Sequence, residues 1–581
     1  MSIEVFAPTC EQDKIIQHAG SAFVTACPGA GKTRVIIERA RHILKSNHDG
    51  RGFALLSFTR AAVLEMETRL RQEGMLTSTV FPHFIGTFDS FIWQFLIAPF
   101  GIPHVEAAPR LVPDKRSRKV QPFEKAQALD LSCFDRTTGR IDPVTAKRSG
   151  FDISARKTSV IRSYETTARK TLARFQERGE LDFDDARDIA VARLRSNNFA
   201  LRLSSLLTAR FSEIIVDEAQ DCNLSDLEII KWLREAGIPT KVVCDPHQSI
   251  YEFRGGITDQ LLTFADIFDL NDRLTMSGNF RSTDNICKAL VMLRPKQYRD
   301  TVDRPLGNHK DEQVNVYILS YAGKSVPETI GKKFEVLLGG LEIDVARSPV
   351  LAATRNSGSS AIGQSTAKAR RDMTFRVAEA VTDFCFAFEL GDQKSALEAM
   401  HKIILELESR LQDKSYHQYV SANRITPDEW RPQALHILKA LRYDSAAFAN
   451  VDEWLRRARE LLAPYLPEDG QSISQKLKKN GDIEGVLIQP PVKFLPAKTI
   501  HSVKGQQFPA VCVVTVPQTF KGILDYLETG SSADNAELAR ELYVAASRAQ
   551  RLLVFATPRS QSGRFAAHVA LAGAAVTMLN I

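Results

Sequence analysis

Uninterrupted apolar runs that end abruptly in acidic, glycine-rich or hydroxyl-bearing residues are the most regular pattern along this chain. At residues 214–216 the run Ile-Ile-Val passes directly into Asp217 and Glu218, with Gln220 and Asp221 just beyond. A run without apolar–polar alternation is typical of a buried strand in a parallel sheet that is covered on both faces. Two carboxylates at the end of such a strand are costly to hold together unless a cation lies beside them. The pattern therefore predicts a buried strand whose end binds positive charge.

A second apolar run is followed by a glycine-rich loop and a helical pattern, in residues 22–40, AFVTACPGAGKTRVIIERA. Gly29 and Gly31 allow the backbone N–H groups to face a phosphate at the start of the helix. Lys32 is placed to reach the β- and γ-phosphates of a nucleotide, and the Thr33 hydroxyl to bind Mg²⁺. A glycine-rich turn without a nucleotide is the alternative interpretation, since the general pattern has Gly at the first loop position, where this chain has Ala.

The acid pair and the phosphate loop complement each other chemically. A phosphate loop needs a second strand that ends in an acid, which holds Mg²⁺ through its water shell. Asp217 fits that role, and Glu218 is placed to accept a proton from the attacking water. For the acid pair on its own, a solvated turn at a strand end is the alternative. Together the two patterns predict hydrolysis of ATP rather than binding alone.

Composition adds the class of protein and its compartment. The chain has 581 residues, of which 44% are hydrophobic and 25% charged, as in ordinary globular proteins, and this length predicts three or four domains. Its eight cysteines are scattered without a C-x-x-C pair, which argues against a zinc ribbon, an iron–sulfur cluster or a disulfide framework and favours a reducing cytosol. The N-terminus has no secretory pattern, and no apolar run approaches the ~18 residues of a membrane span. We therefore expect a cytoplasmic protein without a membrane partner.

Positive charge is concentrated in one segment. Residues 105–176 contain 16 Lys/Arg and 8 Asp/Glu, a balance of +8, whereas the net charge of the whole chain is +7. A basic segment on a nearly neutral body is typical of a protein that binds a polyanion. A solvated, helix-rich surface is the alternative that charge alone leaves open.

Further segments with chemistry follow in a fixed order: 54–70 ALLSFTRAAVLEMETRL, 85–96 IGTFDSFIWQFL, 242–256 VVCDPHQSIYEFRGG, 274–287 LTMSGNFRSTDNIC, 498–514 KTIHSVKGQQFPAVCVV and 537–555 ELARELYVAASRAQRLLVF. With the phosphate loop and the acid pair, this ordered set resembles the superfamily 1A helicases, the UvrD/Rep/PcrA group, over nearly the whole chain. That family also tends to have Ala at the first loop position, where Ala26 stands here. The resemblance implies an α/β fold with two RecA-like P-loop motor domains, each with a mainly helical insertion.

The motif order implies where these domains lie. The first motor domain, 1A, is expected at residues 1–100 and 181–272, and the basic segment falls within its insertion 1B, at 101–180. The second motor domain, 2A, is expected at 273–372 and 488–581, around an insertion 2B at 373–487. The 2B expectation is based on helical periodicity, such as that of residues 395–412, SALEAMHKIILELESRLQ.

For the ATP site the resemblance implies roles residue by residue. Gln12 corresponds to the glutamine that reads the adenine edge, and Phe280 to the aromatic that stacks on the base. Arg281 and Arg548 correspond to two arginines that reach the γ-phosphate, where an inserted arginine is worth ~10³ to 10⁵ in rate. The implied catalytic residues are Lys32, Asp217, Glu218, Gln248, Arg281 and Arg548; the metal ligands are Thr33 and Asp217; and the ATP-binding residues are Gln12, Pro28, Gly29, Ala30, Gly31, Lys32, Thr33, Arg34, Gln220, Phe280 and Gln507.

For DNA the resemblance implies a single strand whose bases stack on aromatic side chains across both motor domains. Each stacked base contributes roughly 1–3 kcal/mol to binding. The implied contact residues are Phe58, Thr87, Tyr251, Phe253, Arg254, Thr499 and His501. Outside these motifs, core packing would be the preferred interpretation of Phe58 and Phe253. Three positions depart from the family pattern, with Asp89 in place of His, Gln507 in place of Glu and Ser547 in place of Thr.

The predicted function is an ATP- and Mg²⁺-dependent DNA helicase that translocates 3′ to 5′ on single-stranded or partly duplex DNA, as in DNA repair. The chain also resembles helicase-like subunits of bacterial anti-phage systems, such as the Gabija helicase subunit, which pairs with an OLD-family nuclease. The alternative is therefore an ATP-gated DNA sensor that acts with a partner nuclease in antiviral defence. An RNA helicase is a third hypothesis, which the family resemblance disfavours.

Overall fold

The computed structural model describes residues 6–46, 49–76, 79–249, 258–300, 302–363, 372–390, 393–411, 416, 419–420, 423, 425, 427–444, 447–467, 471–479, 483–488, 495–530 and 535–581. The chain divides into two compact units. The first unit comprises residues 1–113, 173–364 and 495–581, and the second comprises residues 114–172 and 365–494. The six domain ranges expected from the motif order stay predictions.

The first unit contains two six-stranded sheets in which every neighbouring pair of strands is parallel. The first sheet has the order β6-β1-β5-β4-β2-β3, and its strands are β1 Ala22–Ala26, β2 Gly52–Ser57, β3 Phe84–Thr87, β4 Phe211–Val216, β5 Thr240–Cys244 and β6 Arg273–Met276. The second sheet has the order β9-β8-β10-β11-β7-β12, and its strands are β7 Val316–Tyr321, β8 Val350–Ala352, β9 Ala497–Thr499, β10 Phe508–Val514, β11 Ala549–Pro558 and β12 Val576–Asn580. The two parallel sheets confirm the predicted α/β class.

Apolar residues without alternation form the central strands, as the sequence pattern predicts. All six residues of β2 are buried, and so are all five of β5. Strands of this kind need cover on both faces, which helices provide. The helices of the first unit are Cys10–Gln17, Lys32–Ser46, Arg60–Gln72, Phe88–Phe91, Phe183–Leu194, Asn197–Arg210, Leu224–Glu235, Thr258–Phe264, Asp284–Met292, Thr329–Gly340, Arg355–Ala361, Pro517–Thr529, Ala536–Ala546 and Arg559–Ala570, with a π-helical turn at Ile92–Ile97.

The second unit is helical in its larger part. Residues 365–494 contain the helices Met373–Leu390, Gln393–Leu407, Pro427–Ala440, Val451–Leu462, Ile473–Lys476 and Ile483–Ile488. A core of its own forms here around Trp454, which is fully buried and donates a hydrogen bond from its indole N–H to the Leu441 carbonyl, 2.8 Å away. A separate core means that this part of the chain is stabilised by its own apolar contacts.

The basic segment has less regular structure. It contains the helices Pro143–Arg148 and Thr158–Glu177, the antiparallel pair Lys119–Val120 with Leu129–Asp130, and short turns. Tyr164 fixes one of these turns, because its hydroxyl donates to the Gln127 carbonyl, 2.7 Å away, and its ring packs edge-on against Phe151. Most of the charged side chains in the segment remain on its surface.

Two further features concern the whole described chain. Among the residues that the structure describes, no helix combines the length and the hydropathy that crossing a membrane requires. The eight cysteines are all unpaired thiols, of which six are buried, Cys385 is half-buried and Cys10 is exposed. Burial raises the pKa of the Cys244 and Cys512 thiols above their usual range.

A buried cluster of charges ties the amino-terminal helix to the centre of the first sheet. Glu213, on β4, accepts hydrogen bonds from Arg39 Nε at 2.9 Å and Arg39 Nη2 at 2.6 Å, and Lys241 Nζ lies 3.1 Å from it. Arg39 also donates to the Ile16 carbonyl at 2.7 Å, and Lys241 donates to the Gly20 carbonyl at 3.0 Å. One carboxylate therefore compensates two buried cations.

Replacing Glu213 with alanine should destabilise the fold by about 3–5 kcal/mol, because two cations would remain buried without their anion. Urea-induced unfolding, followed by circular dichroism, measures this loss. The control is Glu228→Ala, which removes the exposed ion pair with Arg195 and should change stability by less than about 1 kcal/mol. Equal losses in the two variants would contradict the expected role of the buried cluster.

Candidate functional site

The carboxyl edge of the first sheet gathers most of the predicted site residues. Since all six strands are parallel, their carboxyl ends meet at one edge, where ligands of α/β proteins usually bind. The phosphate loop follows β1, Asp217 follows β4, and Asp245 follows β5. These three strands are neighbours in the order β1-β5-β4. The sheet topology thus brings together segments that are about 200 residues apart in the chain.

The phosphate loop has the backbone conformation that its glycines permit. Gly29 and Gly31 have φ of 72° and 80°, in the left-handed region that favours glycine. Pro28 and Ala30 are buried, and the helix Lys32–Ser46 begins directly after the loop, so that Thr33 lies in its first turn. The helix N-terminus and its free N–H groups therefore face the loop, as in a site for an anion.

Lys32 is a half-buried cation near three acids. Burial alone would lower the pKa of Lys32, but Glu218, Asp245 and Asp217 outweigh that effect and raise it. Burial raises the pKa of Asp217 above its usual range. For Glu218, burial acts in the same direction, but Lys32 and Lys504 outweigh it, and the pKa is lowered. Glu218 is therefore ionised at neutral pH, as a proton acceptor must be.

Glu218 is held in an unusual conformation by its neighbours. Its φ of 57° lies in the left-handed region, where non-glycine residues are uncommon. Gln220 donates a hydrogen bond from Nε2 to Glu218 Oε2, and its own Oε1 accepts one from the Asp245 backbone N–H at 3.0 Å. Gln248 Nε2 donates to Asp245 Oδ2 at 2.7 Å. Gln220, a predicted ATP-binding residue, and Gln248, a predicted catalytic residue, are thus joined through Asp245.

Arg548 connects the two sheets at this point. It lies directly before β11 of the second sheet, is 2% exposed, and donates from Nη2 to Gln248 Oε1 at 2.5 Å. Its remaining hydrogen bonds go to the backbone carbonyls of Val544 and Gln506 and to the Ser547 hydroxyl. Burial lowers the pKa of Arg548, and no carboxylate of the described residues forms an ion pair with it. An anion placed beside it would be stabilised.

Arg281 is a second such cation. Its Nη1 donates to the Ser547 carbonyl at 2.7 Å, and its Nε to Gln507 Oε1 at 3.1 Å. Burial, with Arg548 nearby, lowers the pKa of Arg281 to about 9. The predicted pair of arginines therefore does converge, and Gln507, the replacement for the family's Glu, contacts Arg281 directly.

The predicted adenine contacts Gln12 and Phe280 both contact the phosphate loop, at Ala30 and Gly29 respectively. Gln12 is 2% exposed, accepts a hydrogen bond from the Thr9 N–H at 3.0 Å and donates one to the Ala30 carbonyl at 3.0 Å. Phe280 is 39% exposed, which leaves ring surface free for stacking. Arg34 instead pairs with Glu38 and Glu73.

The donors available to a metal ion are few. In the described part of the chain, no group of three or more His, Cys, Asp or Glu side chains is arranged to hold a metal. Asp217, which is 1% exposed, and the Thr33 hydroxyl are the oxygen donors at the phosphate loop. This donor set fits Mg²⁺, which binds proteins through one or two oxygen ligands and completes its shell with water and substrate phosphates.

The predicted DNA contacts are placed at strand ends of both sheets. Phe58 directly follows β2, and Thr87 is the last residue of the neighbouring strand β3. Ser57 of β2 is paired with Thr87 of β3. Phe58 is only half-buried, and its ring stacks on Phe88 with centroids 5.4 Å apart. Thr87 accepts a hydrogen bond from the Ser90 N–H at 3.1 Å and so begins the next helix.

On the second sheet, Thr499 ends β9 and His501 follows it, with His501 Nε2 3.1 Å from Glu541 Oε1. The predicted contacts Tyr251, Phe253 and Arg254 lie outside the described residues. Asp89, which stands where the family has His, forms an ion pair of 2.5 Å with Arg187, and Arg187 also pairs with Asp226. The negative charge of Asp89 is therefore compensated within the protein.

Two residues of the site did not emerge from the sequence. Asp245 ends the apolar run of β5 just as Asp217 ends that of β4, so its position at a strand end was the signal for it. Lys504 forms an ion pair of 2.5 Å with Asp221, and both side chains are buried. No local pattern predicts that pair, since 283 residues separate its members.

Comparison with known proteins agrees with this geometry. Residues 9–269 match the family model of the UvrD/REP helicase N-terminal domain. The putative ATP-dependent DNA helicase YjcD of Bacillus subtilis is 25% identical over 95% of this chain and 79% of its own length. DNA helicase II of Escherichia coli is 26% identical over 48% of this chain and 39% of its own length. The probable DNA helicase II homolog of Mycoplasma capricolum is 27% identical over 45% of this chain and 37% of its own length. The matched region thus spans well under half the length of the last two relatives.

Proposed function

We propose that this chain is a UvrD-like superfamily 1 protein, an ATP-driven motor on single-stranded DNA that unwinds duplexes, since its residues 9–269 match the UvrD/REP helicase N-terminal domain and the relatives it resembles are named DNA helicases. The observation that carries the proposal is the convergence of Lys32, Arg281 and Arg548 with the acid pair at one phosphate loop. Three cations, of which Arg548 is buried and Lys32 and Arg281 are half-buried, fit the charge of a transferred phosphoryl group.

The chemistry follows from the positions of these groups. The N–H groups at the start of helix Lys32–Ser46 and the Lys32 ammonium hold the phosphates, and the two arginines stabilise the charge that spreads over the γ-phosphoryl oxygens. Glu218 accepts the proton of the attacking water. Mg²⁺, held by Asp217 and Thr33, would neutralise charge on the β- and γ-phosphates.

Movement would arise because Lys32 follows β1 of the first sheet, whereas Arg548 lies directly before β11 of the second. Bound ATP draws Arg281 and Arg548 towards the phosphate loop, and loss of the γ-phosphate releases them. Phe58 is suited to stack on a base, since its side chain is only half-buried and its ring is stacked on that of Phe88. We take the 3′ to 5′ direction from the family, and the basic residues 105–176 as the part that attracts the DNA backbone.

We expect single-stranded DNA to stimulate ATP hydrolysis by the purified chain, and the effect to weaken as salt rises. Between about 50 and 200 mM salt, the DNA concentration for half-maximal stimulation should rise about tenfold or more, because bound cations displace counterions from the phosphates. Steady-state hydrolysis with a titrated oligonucleotide measures both quantities. An RNA strand of the same sequence is the control and should stimulate less.

The same assay separates the alternative function. ATP binding with little DNA-stimulated turnover would contradict an autonomous motor and favour an ATP-gated subunit that acts with a partner nuclease. Equal stimulation by RNA and DNA would contradict the choice of DNA as the track.

A further inference from the structure

Asn279 is a buried amide that contacts the phosphate loop. It is 0% exposed and belongs to the two-residue strand Gly278–Asn279, which pairs with Arg304–Pro305. The next backbone N–H, that of Phe280, donates to the Gly29 carbonyl at 2.9 Å. A Cβ atom built on Gly29 would lie only 2.8 Å from Asn279 Oδ1. The side chain of Asn279 therefore touches the loop at Gly29.

The orientation of this amide is fixed by its oxygen. Asn279 Oδ1 accepts hydrogen bonds from the backbone N–H groups of Arg281 at 2.8 Å and Ser282 at 3.0 Å. An amide nitrogen in the same place could accept neither bond, so the two ends of the side chain cannot be exchanged. The oxygen thus holds the turn that positions Arg281, and the nitrogen remains for another purpose.

The nitrogen has no hydrogen-bond partner in the described part of the chain. Among the residues that the structure describes, Asn279 Nδ2 is buried and makes no hydrogen bond. A buried donor without an acceptor is costly, and such groups are rare in native proteins unless a ligand or water satisfies them. Only an acceptor can satisfy an N–H₂ group, and phosphate oxygens are acceptors only. Three other donors, Lys32, Arg281 and Arg548, lie around the loop beside the carboxylates Asp217, Glu218 and Asp245.

We propose that Asn279 Nδ2 donates a hydrogen bond to a phosphate oxygen of the bound nucleotide, so that Asn279 is a phosphate-binding residue in addition to the set predicted from the sequence. This inference rests on the proposed function only in assuming that the loop binds a nucleoside triphosphate. Asn279 would then have two roles. Its oxygen holds the backbone turn at Arg281, and its nitrogen donates a hydrogen bond to the phosphate.

Asn279→Asp tests the nitrogen separately from the oxygen, because the aspartate keeps Oδ1 for the two backbone N–H groups and replaces the donor with a second acceptor. Isothermal titration calorimetry with Mg²⁺–ATPγS should show affinity weakened by about 10- to 100-fold, as expected for loss of a hydrogen bond to a charged group. The same titration with Mg²⁺–ADP narrows the choice of phosphate: a loss with both nucleotides assigns the α- or β-phosphate, and a loss with ATPγS alone assigns the γ-phosphate.

The matched control is Asn285→Asp, six residues further along the chain. Its Nδ2 donates to the Val314 carbonyl at 3.0 Å, so this variant should lower the melting temperature but change nucleotide affinity by less than about threefold. Asn279→Ser serves if the aspartate variant fails to fold, since its hydroxyl still accepts one backbone N–H and its affinity should fall as well. Wild-type affinity for both nucleotides in a folded Asn279 variant would overturn the inference. Failure of the wild-type chain to bind ATPγS would instead overturn the proposed function.

Discussion

Arg548→Ala is expected to lower kcat for DNA-stimulated ATP hydrolysis by about 10³-fold or more, the largest effect that we expect from a single substitution. Arginines that reach a transferred phosphoryl group contribute ~10³ to 10⁵ in rate, because they act where charge develops in the transition state. Arg548 is buried, and its contact with Gln248 crosses from one sheet to the other. KM for ATP should change far less than kcat, since the triphosphate is held chiefly by the phosphate loop.

Two further variants make this result specific. Arg548→Lys keeps the charge but loses the planar fork, and it should recover only a small part of the rate. Arg551→Ala, three residues away on β11, removes the half-exposed pair with Glu312 and should leave hydrolysis unchanged. Melting curves of all three variants show whether each is folded. A folded Arg548→Ala protein that hydrolyses ATP at more than about a tenth of the normal rate would contradict the proposed role.

Lys32→Ala should lower turnover by another route, with a loss of about 10²- to 10³-fold in kcat/KM. Lys32 is the cation that Glu218, Asp245 and Asp217 share, and its ammonium is expected on the β- and γ-phosphates. Its removal therefore weakens nucleotide binding as well as the chemical step. Hydrolysis assays combined with titration of ATPγS measure the two losses separately.

The control for Lys32 lies on the same helix. Lys45 is exposed in the last turn of Lys32–Ser46, and Lys45→Ala removes an equal charge far from the loop. This variant should retain the wild-type rate within about twofold, because an exposed charge one helix length away is screened. DNA-stimulated hydrolysis that survives Lys32→Ala would show that the phosphate loop is not the site of turnover.

Local sequence patterns were sufficient for the strands and for the residues at their ends. The runs before Asp217 and before the phosphate loop are buried strands, because unbroken apolar residues need cover on both faces of a sheet. Helical periodicity likewise identified the helix Gln393–Leu407. These features depend on neighbours within a few residues, which a single sequence contains.

Contacts between distant segments could not be predicted in the same way. Arg548 and Gln248 are 300 residues apart, and their hydrogen bond depends on how the two sheets pack. The stacking of Phe58 on Phe88 depends similarly on the pairing of β2 with β3. The free amide nitrogen of Asn279 is visible only once every neighbour has a position. Local sequence motifs therefore indicate which residues belong to the candidate site, whereas the contacts that join these residues depend on the tertiary structure.

The distribution of the thiols gives this protein a built-in attachment point for a probe. Cys10 is exposed at the start of helix Cys10–Gln17, two residues before Gln12, whereas six of the other seven thiols are buried. A maleimide dye reacts with accessible thiols, so brief labelling of the unmodified chain should place a fluorophore beside the adenine contact. Nucleotide binding and release could then be followed by single-molecule fluorescence, without first replacing the other cysteines.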